Sequence, residues 1–224
     1  MKPTSRSIQK IIEEQVQKWQ AEVARDTKEE KYYPIITISR EPGSGGRLIA
    51  RALADKLSLD LFDQEVVHEM AKSANVSTRL METLDEKGVS TLHEWVSALV
   101  DSRHLWPDQY MQHLMRVVGT IGEHGRSVIV GRGSNFIIPK EMKLSVRIEA
   151  PLEVRVQNIV NEFGASEDEA RRRAIKTESE RKAFIRKYFN ADIADPIHYD
   201  LVINTGKLGI DEAVNLIVAL YPKL

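Results

Sequence analysis

Residues 35–47, IITISREPGSGGR, join a short β-branched run to a glycine-rich turn. The run over 35–39 predicts a buried strand, and the apolar face of residues 48–57 predicts a helix directly after the turn. Glycines between a strand and a helix permit positive φ angles and let a ligand approach the backbone closely. The N–H groups of this turn and the start of the helix are therefore expected to form an anion-binding site.

The alternation of strand and helix patterns continues along the chain. Apolar runs without strict alternation indicate strands that are buried on both faces, as in parallel sheets covered by helices on both sides. We therefore expect a three-layer α/β fold with a five-stranded parallel sheet. The further predicted strands are 59–62, 127–130, 144–148 and 201–203, and the further predicted helical stretches are 64–124, 152–162, 166–187 and 210–220.

Ligands of such sheets bind outside the carboxyl ends of the strands. Functional side chains are therefore expected in the segments that directly follow the predicted strands. These segments are 40–47, Asp63, 131–133, 150–151 and 204–205.

An amphipathic helix is predicted over residues 5–31, before the first strand. Its apolar residues recur at spacings of three and four, and Tyr32, Tyr33 and Pro34 end the pattern. We expect this helix, within an N-terminal segment 1–33, to pack against the domain formed by 34–224. A dimerisation helix, which would form a homodimer, or a partner-binding helix is the alternative. The apolar residues are Ile8, Ile11, Ile12, Val16, Trp19 and Val23.

Composition excludes several classes of protein. The 224 residues carry 32 Lys and Arg against 33 Asp and Glu, and a net charge of −1 does not suit a nucleic-acid coat or a membrane-surface protein. The absence of cysteine excludes disulfides and a thiol nucleophile, and the scattered histidines predict no metal site. Apolar runs are far shorter than the roughly 20 residues that span a bilayer. We expect a cytoplasmic protein without a signal peptide.

One segment departs from the neutral average. Residues 171–187 carry eight basic residues against Glu178 and Glu180, a local charge of +6. A solvated helical face is the simplest interpretation, and it suits Lys176, Lys182 and Lys187. Aromatic residues do not alternate with these charges, as a stacking surface for nucleic acid would require.

Four segments together resemble the bacterial cytidylate kinases, which belong to the nucleoside monophosphate kinase branch of the P-loop kinases. The divergent cytidylate kinase-like group, with SRExGSGGR loops and a third strand ending in GRG, is the most similar. The resemblance covers about residues 34–220. It implies the strand order 2-3-1-4-5, a helical acceptor-side subdomain over 64–124 and a lid over 164–195. The segments are 43–63 (GSGGRLIARALADKLSLDLFD), 128–133 (VIVGRG), 143–155 (KLSVRIEAPLEVR) and 200–205 (DLVINT).

The chain also departs from the motifs of cytidylate kinases. In an ungapped comparison the P-loop lysine falls on Gly46, the next glycine on Arg47 and the Mg²⁺-binding Ser or Thr on Leu48. The Asp that follows the GR pair is Gly133. The Tyr-Arg pair after the second strand falls on His68 and Glu69. Arg47 or Arg40 would have to replace the missing lysine.

The resemblance implies a phosphotransferase that moves the γ-phosphoryl group of ATP, with Mg²⁺, to a nucleoside monophosphate, with CMP or dCMP as first choice. Small nucleotides are then the partners, with no nucleic acid or membrane. In this interpretation, Gly43, Ser44, Gly45, Gly46, Arg40 and Arg47 bind ATP, Asp63 and Arg132 bind the acceptor, and Arg47, Arg132, Arg173, Arg181 and Arg186 stabilise the group in transfer.

Two alternatives remain open from the residues. The missing lysine and Ser or Thr suit a nucleotide- or phosphate-binding module without kinase activity. A structural or partner-binding domain, whose glycine turn binds nothing, is the third hypothesis.

Overall fold

Strand β1 (Ile35–Arg40) is the central strand of the sheet. The computed structural model describes residues 5–23, 34–105 and 107–221, without the side chains of residues 5–7, 22 and 23. Within this part of the chain, five parallel strands follow the order β2-β3-β1-β4-β5, which confirms the predicted sheet and its order. The other strands are β2 (Asp60–Phe62), β3 (Ser127–Val130), β4 (Lys143–Glu149) and β5 (Leu201–Asn204).

The register of the sheet places the ends of β1 and β3 side by side. Ile38 pairs with Val130, so that Arg40 and the turn after β3 emerge at the same edge. All six residues of β1 are buried, as the apolar run predicts. The edge that carries the carboxyl ends of these strands therefore gathers the two segments with the clearest sequence motifs.

The helices cover both faces of the sheet. The predicted helical stretch 64–124 is divided into four helices, because side chains of Asp63, Ser73, Asp85 and Asp108 accept hydrogen bonds from the first turns of new helices. No helix in the described ranges is long and apolar enough to cross a membrane. The helices are α1 (Ser5–Val23), α2 (Gly46–Leu57), α3 (Gln64–Lys72), α4 (Ala74–Met81), α5 (Glu86–Arg103), α6 (Gln109–His124), α7 (Ser134–Ile137), α8 (Leu152–Phe163), α9 (Glu167–Phe189) and α10 (Ile210–Leu220).

Each face of the sheet has its own hydrophobic core. Ile36 and Ile38 of β1 pack with residues of α2 and α10 on one face. Ile35 and Phe62 pack on the other face with α1, α3, α6 and the end of α9. The three-layer arrangement is therefore as predicted.

Helix α1 packs against this second core. Ile8, Ile12, Val16 and Trp19 are buried in it, and the Trp19 ring stacks on His124 of α6 with ring centroids 4.1 Å apart. The packing of α1 on the domain that follows it is therefore as expected. The predicted continuation of the helix over 24–31 and its end at Tyr32 and Tyr33 lie outside the described residues.

The turn after β3 keeps three consecutive residues in the left-handed region. Gly131, Arg132 and Gly133 have φ angles of 78°, 53° and 69°. A Cβ atom at position 133 would lie 2.5 Å from Cζ of Phe189, a fully buried ring. The ring of Phe189 therefore leaves no space for the Asp that cytidylate kinases carry at this position, and the positive φ adds backbone strain for any side chain.

We expect Trp19→Ala to lower the free energy of unfolding by about 3–5 kcal/mol, because it empties a buried indole site. Ile11→Ala is the matched control, since Ile11 lies on the same helix but is 38% exposed. Urea denaturation measures both variants. Equal, small effects would contradict the packing of α1 on the core.

Gly133→Ala is expected to destabilise the fold more than Gly164→Ala. Both glycines have positive φ, which costs an alanine about 1–2 kcal/mol. A Cβ at Gly164 meets nothing within 4 Å, whereas one at Gly133 displaces Phe189. Overpacking should therefore add about 1–3 kcal/mol at Gly133 alone, as measured by denaturant unfolding. Equal losses would show that the ring adapts freely.

Candidate functional site

A cavity of about 260 Å³ opens at the carboxyl ends of β1 and β3. Helix α9 forms one wall with residues at spacings of three and four, which place them on one helical face. The two strand ends form the opposite wall. The lining residues are Ser39, Arg40, Gln64, Gly131, Arg132, Gly133, Asn135, Thr177, Glu180, Arg181, Phe184, Ile185 and Ile193.

The glycine turn ends in the N-terminus of α2. Gly45, with a φ angle of 79°, occupies the cap position and provides no side chain to cap the helix. The N–H groups of Gly45, Gly46 and Arg47 donate to no other group in the described part of the chain. Three backbone donors and the positive end of the helix dipole are therefore available to an anion.

The turn itself is held by side chains from both sides. Ser44 Oγ donates to the carbonyl oxygens of Glu41 and Ile148, at 2.9 and 3.2 Å, so the hydroxyl stabilises the turn. Thr205 Oγ1 donates to the carbonyl of Ser44 at 2.8 Å, and Asn158 Nδ2 to that of Gly43 at 2.8 Å. The N–H of Ser44 donates to the carbonyl of Glu41 at 3.3 Å, so the unpaired N–H groups are those of Gly45, Gly46 and Arg47.

Arg40 ends β1 and is almost fully buried, with 8% exposure. Its Nη2 donates to Oε1 of Gln64 at 2.6 Å, and its Nε has no hydrogen-bond partner among the described residues. Burial, followed by the positive charges of Arg181, Arg47 and Arg132, lowers the pKa of Arg40 well below its usual value.

Three further arginines surround Arg40. Arg181 of α9 donates from Nη1 to the carbonyl oxygen of Arg40 at 2.7 Å. Burial and then the charge of Arg132 lower the pKa of Arg181 to about 10, so that it stays protonated at neutral pH. Arg132 donates from Nε to the carbonyl of Gln64 at 3.4 Å. Arg47 Nη2 lies 3.4 Å from Oδ2 of Asp63, and about half of its side chain is exposed.

Negative charge does not balance this cluster. Asp63 contacts Arg47, but its Oδ1 also accepts hydrogen bonds from the N–H groups of Glu65 and Val66 at the start of α3. Gln64, the partner of Arg40, is neutral. Four guanidinium groups outnumber the two nearby carboxylates, Asp63 and Glu180 of the α9 wall. Together with three unpaired backbone N–H groups, this excess of positive charge suits a multiply charged anion such as a phosphate ester.

A second network of charges, which the sequence did not suggest, joins the glycine turn to α9. Glu41 accepts a hydrogen bond from the N–H of Ala150 at 3.0 Å and lies 3.3 Å from Nε of Arg155. Nη1 of Arg155 lies 3.0 Å from Glu178 of α9, and Arg147 donates to Ser39 Oγ at 3.1 Å. A charged residue inside an apolar run, such as Arg147, was the available signal in the sequence.

The structure does not bring Arg173 and Arg186 into the cavity. Arg173 is exposed and lies over the Phe163 ring, 4.1 Å from its centroid. Arg186 is exposed beside a separate cavity that Arg103 and Tyr188 also line. On α9, position 173 is about 12 Å along the axis from position 181, and position 186 is rotated by about 140° from it. Arg181 alone of these three lines the cavity.

The acceptor-side positions have their own chemistry. Nδ1 of His68 lies 2.9 Å from the hydroxyl of Tyr110, and Glu69 pairs with Lys72 at 3.0 Å. Burial and then the charge of Arg132 lower the pKa of His68, which favours the neutral imidazole. His68, which is paired with Tyr110, and Glu69 therefore occupy the two positions where cytidylate kinases have their Tyr-Arg pair.

The loop provides no evident ligand for Mg²⁺. Leu48, 61% exposed, occupies the position of the Ser or Thr that binds the metal in GxxxxGK[ST] loops. Glu41 and Asp63 are both already bonded, and the described residues contain no cluster of three or more acidic, His or Cys side chains that could hold a metal. These residues do not fit a protein-held Mg²⁺, whereas the amide and guanidinium donors fit the phosphates of ATP.

Comparison with known proteins extends over most of the chain. A cytidylate kinase from Methanocaldococcus jannaschii is 27% identical over 187 residues, which cover 82% of this chain and 94% of that protein. A cytidylate kinase from Sulfolobus acidocaldarius is 28% identical over 190 residues, with coverages of 84% and 94%. The solved structure of an uncharacterized protein from Eubacterium ventriosum has a TM-score of 0.65 and 25% identity, covering 85% of this chain and 99% of that one.

The family model described as the cytidylate kinase-like family matches residues 35–207. This match includes β1, the turn after β3 and α9, which line the cavity, and also the glycine turn that leads into α2. Because the match spans more than half of the chain and the whole of the site, the chain belongs to the cytidylate kinase-like family.

Proposed function

We propose that the protein transfers the γ-phosphoryl group of ATP to a nucleoside monophosphate, with CMP and dCMP as the first acceptors to test. The observation that carries this proposal is the cluster of four arginines beside the unpaired N–H groups of α2. Phosphoryl transfer relies on positioning and on the stabilisation of charge on the phosphoryl oxygens, which such a cluster supplies. Relatives named cytidylate kinase support the choice of acceptor.

Each part of the cluster has a proposed role. The N–H groups of Gly45, Gly46 and Arg47 bind the β-phosphate of the donor, while Gly43 and Ser44 shape the turn. Arg132 binds the acceptor phosphate at the end of β3, and Asp63 orients Arg47 beside it. Because the acceptor is already an anionic phosphate, the reaction needs no general base.

Helix α9, within the proposed lid 164–195, closes the cavity. Arg181 extends from it over the carbonyl of Arg40, between the glycine turn and the turn after β3. The contacts of Arg155 with Glu41 and Glu178 hold α9 against the turn and limit the entry of water. Helices α3–α6, over 64–124, form the acceptor side, and His68 is part of α3. We propose that the domain 34–224 has these two subdomains, the lid and the acceptor-side helices. We also propose that the segment 1–33 is separate from this domain.

Mg²⁺ is expected from the family resemblance and would reduce the charge of the nucleotide phosphates when bound to them. The loop adds no Ser or Thr ligand to such an ion, so we assign charge neutralisation by the protein to its arginines. Three expectations from the sequence stay predictions. They are a cytoplasmic location, a homodimer through α1, and roles for Arg173 and Arg186 in the reaction.

The second candidate is a nucleotide-binding protein that does not transfer phosphate. It is favoured by Gly46 and Leu48, which replace a phosphate-binding lysine and a metal ligand. Calorimetry with ATP and CMP, with and without Mg²⁺, and a coupled assay for product distinguish the two. Tight binding without product over hours supports the second candidate, and turnover of about 1 s⁻¹ or more excludes it.

We expect Arg132→Ala to lower kcat/KM by several hundredfold, because it removes a charged donor from the acceptor phosphate. The control is Arg172→Ala, an exposed arginine of α9 outside the cavity. Steady-state kinetics with ATP and each nucleoside monophosphate measure the effect. A change of less than about fivefold in an active enzyme would contradict the role of Arg132.

A further inference from the structure

We propose that Arg40 supplies, from the end of β1, the phosphate-binding cation that GxxxxGK loops supply from a lysine at the position of Gly46. The inference rests on the proposed function for the identity of the phosphate, a donor phosphate of a nucleotide. The binding of a phosphate anion by Arg40 is argued from the packing around this residue.

Arg40 and a side chain at position 46 exclude each other. A Cβ atom on Gly46 would lie 2.6 Å from Cβ and 3.0 Å from Cγ of Arg40. Gly46 does not have a positive φ, so its backbone would accept any residue. The space taken by Arg40, and not the conformation of the loop, therefore requires glycine where other loops have lysine.

A second glycine makes room for the other end of the same side chain. A Cβ atom on Gly131 would overlap Nη1 of Arg40 and lie 3.2 Å from its Cζ. The guanidinium group thus lies directly against the backbone at the end of β3. Gly46 and Gly131 leave a passage through which Arg40 extends from the central strand into the cavity.

The guanidinium group is poorly satisfied without a ligand. It is buried beside Arg47, Arg132 and Arg181, its Nε is unpaired among the described residues, and its hydrogen-bond acceptor is the neutral Gln64. A buried charge of this kind is costly unless it is paired. A phosphate in the cavity would provide both the opposite charge and acceptors for the planar N–H groups.

Arg47 was the other candidate to replace the lysine, and the structure distinguishes the two. The side chain of Arg47 is 52% exposed and contacts Asp63. Arg47 therefore has a carboxylate partner and is half exposed, whereas Arg40 is 8% exposed and forms no ion pair with a described residue. Arg47 remains a member of the cluster, and Arg40 takes the interior position.

The first test measures the binding of inorganic pyrophosphate by calorimetry and by thermal shift. We expect Arg40→Met to weaken binding by about 10- to 100-fold, the loss of one charged hydrogen-bonding group. The Tm of the ligand-free variant should stay equal or rise, because a costly buried charge is removed. Arg51→Met, an exposed arginine of α2, is the control and should bind as the wild type does.

Two results would overturn the proposal. One is a wild-type protein that does not bind pyrophosphate. The other is an Arg40→Met variant with unchanged affinity, and a lower Tm in that case would show that Arg40 only supports the fold. If Arg40→Met does not fold, a second experiment tests the proposal by exchanging the side chains at positions 40 and 46.

The exchange uses Gly46→Lys, Arg40→Gly and the double variant. Arg40→Gly removes the Cβ atom that blocks position 46, which Arg40→Ala would leave in place. We expect both single variants to bind pyrophosphate at least about 10-fold more weakly, and the double variant to recover affinity to within about tenfold of the wild type. Wild-type affinity in Gly46→Lys, or no recovery in the double variant, would contradict the exchange.

Activity separates this inference from the proposed function. Pyrophosphate binding that depends on Arg40, without transfer to any nucleoside monophosphate, would leave the inference intact and overturn the proposed kinase. Kinase activity that Arg40→Met leaves unchanged would support the proposed kinase and overturn the inference about Arg40.

Discussion

The burial of a guanidinium group at the end of the central strand is the constraint on which the rest of the site depends. Arg40 extends from β1 past Gly46 and Gly131, and either position with a side chain would displace it. The positive charges of Arg47, Arg132 and Arg181 act on it, and the negative charge of Asp63 offsets them only in part. Such a cluster costs folding free energy in the absence of an anion, and this cost is the physical basis for inferring a phosphate ligand.

The position of α9 follows from the same strand end. Arg181 donates to the carbonyl of Arg40, while Arg155 joins Glu41 of the turn to Glu178 of α9. The glycine turn and the proposed lid are therefore connected through two independent sets of contacts.

The site could be predicted only in part. Arg40, Arg47, Asp63 and Arg132 were expected because they follow strands, and strands of a parallel sheet end at one edge. Gln64 and Arg155 were missed. Gln64 is the first residue of α3 and Arg155 lies in the first turn of α8, and the partners of both side chains depend on how these helices pack. The basic segment of α9 offered equivalent arginines in sequence, but a helix rotates each residue by about 100°, and only Arg181 lines the cavity.

The sequence by itself determined the layers of the fold, the order of strands and helices, and the location of a glycine turn before a helix. These features depend on hydrophobic periodicity and on turn residues, which are local properties of the chain. The order of the strands across the sheet, as distinct from their order along the chain, was implied by the family resemblance. Only the tertiary structure decided that a side chain at Gly46 would meet Arg40, and this contact is the basis for proposing Arg40 in place of the lysine. That choice depends on whether a side chain from β1 and one from α2 occupy the same volume. Arg40 and Gly46 are six residues apart in sequence, and their side-chain positions overlap only after the turn has folded back. No pattern in the sequence therefore shows this overlap.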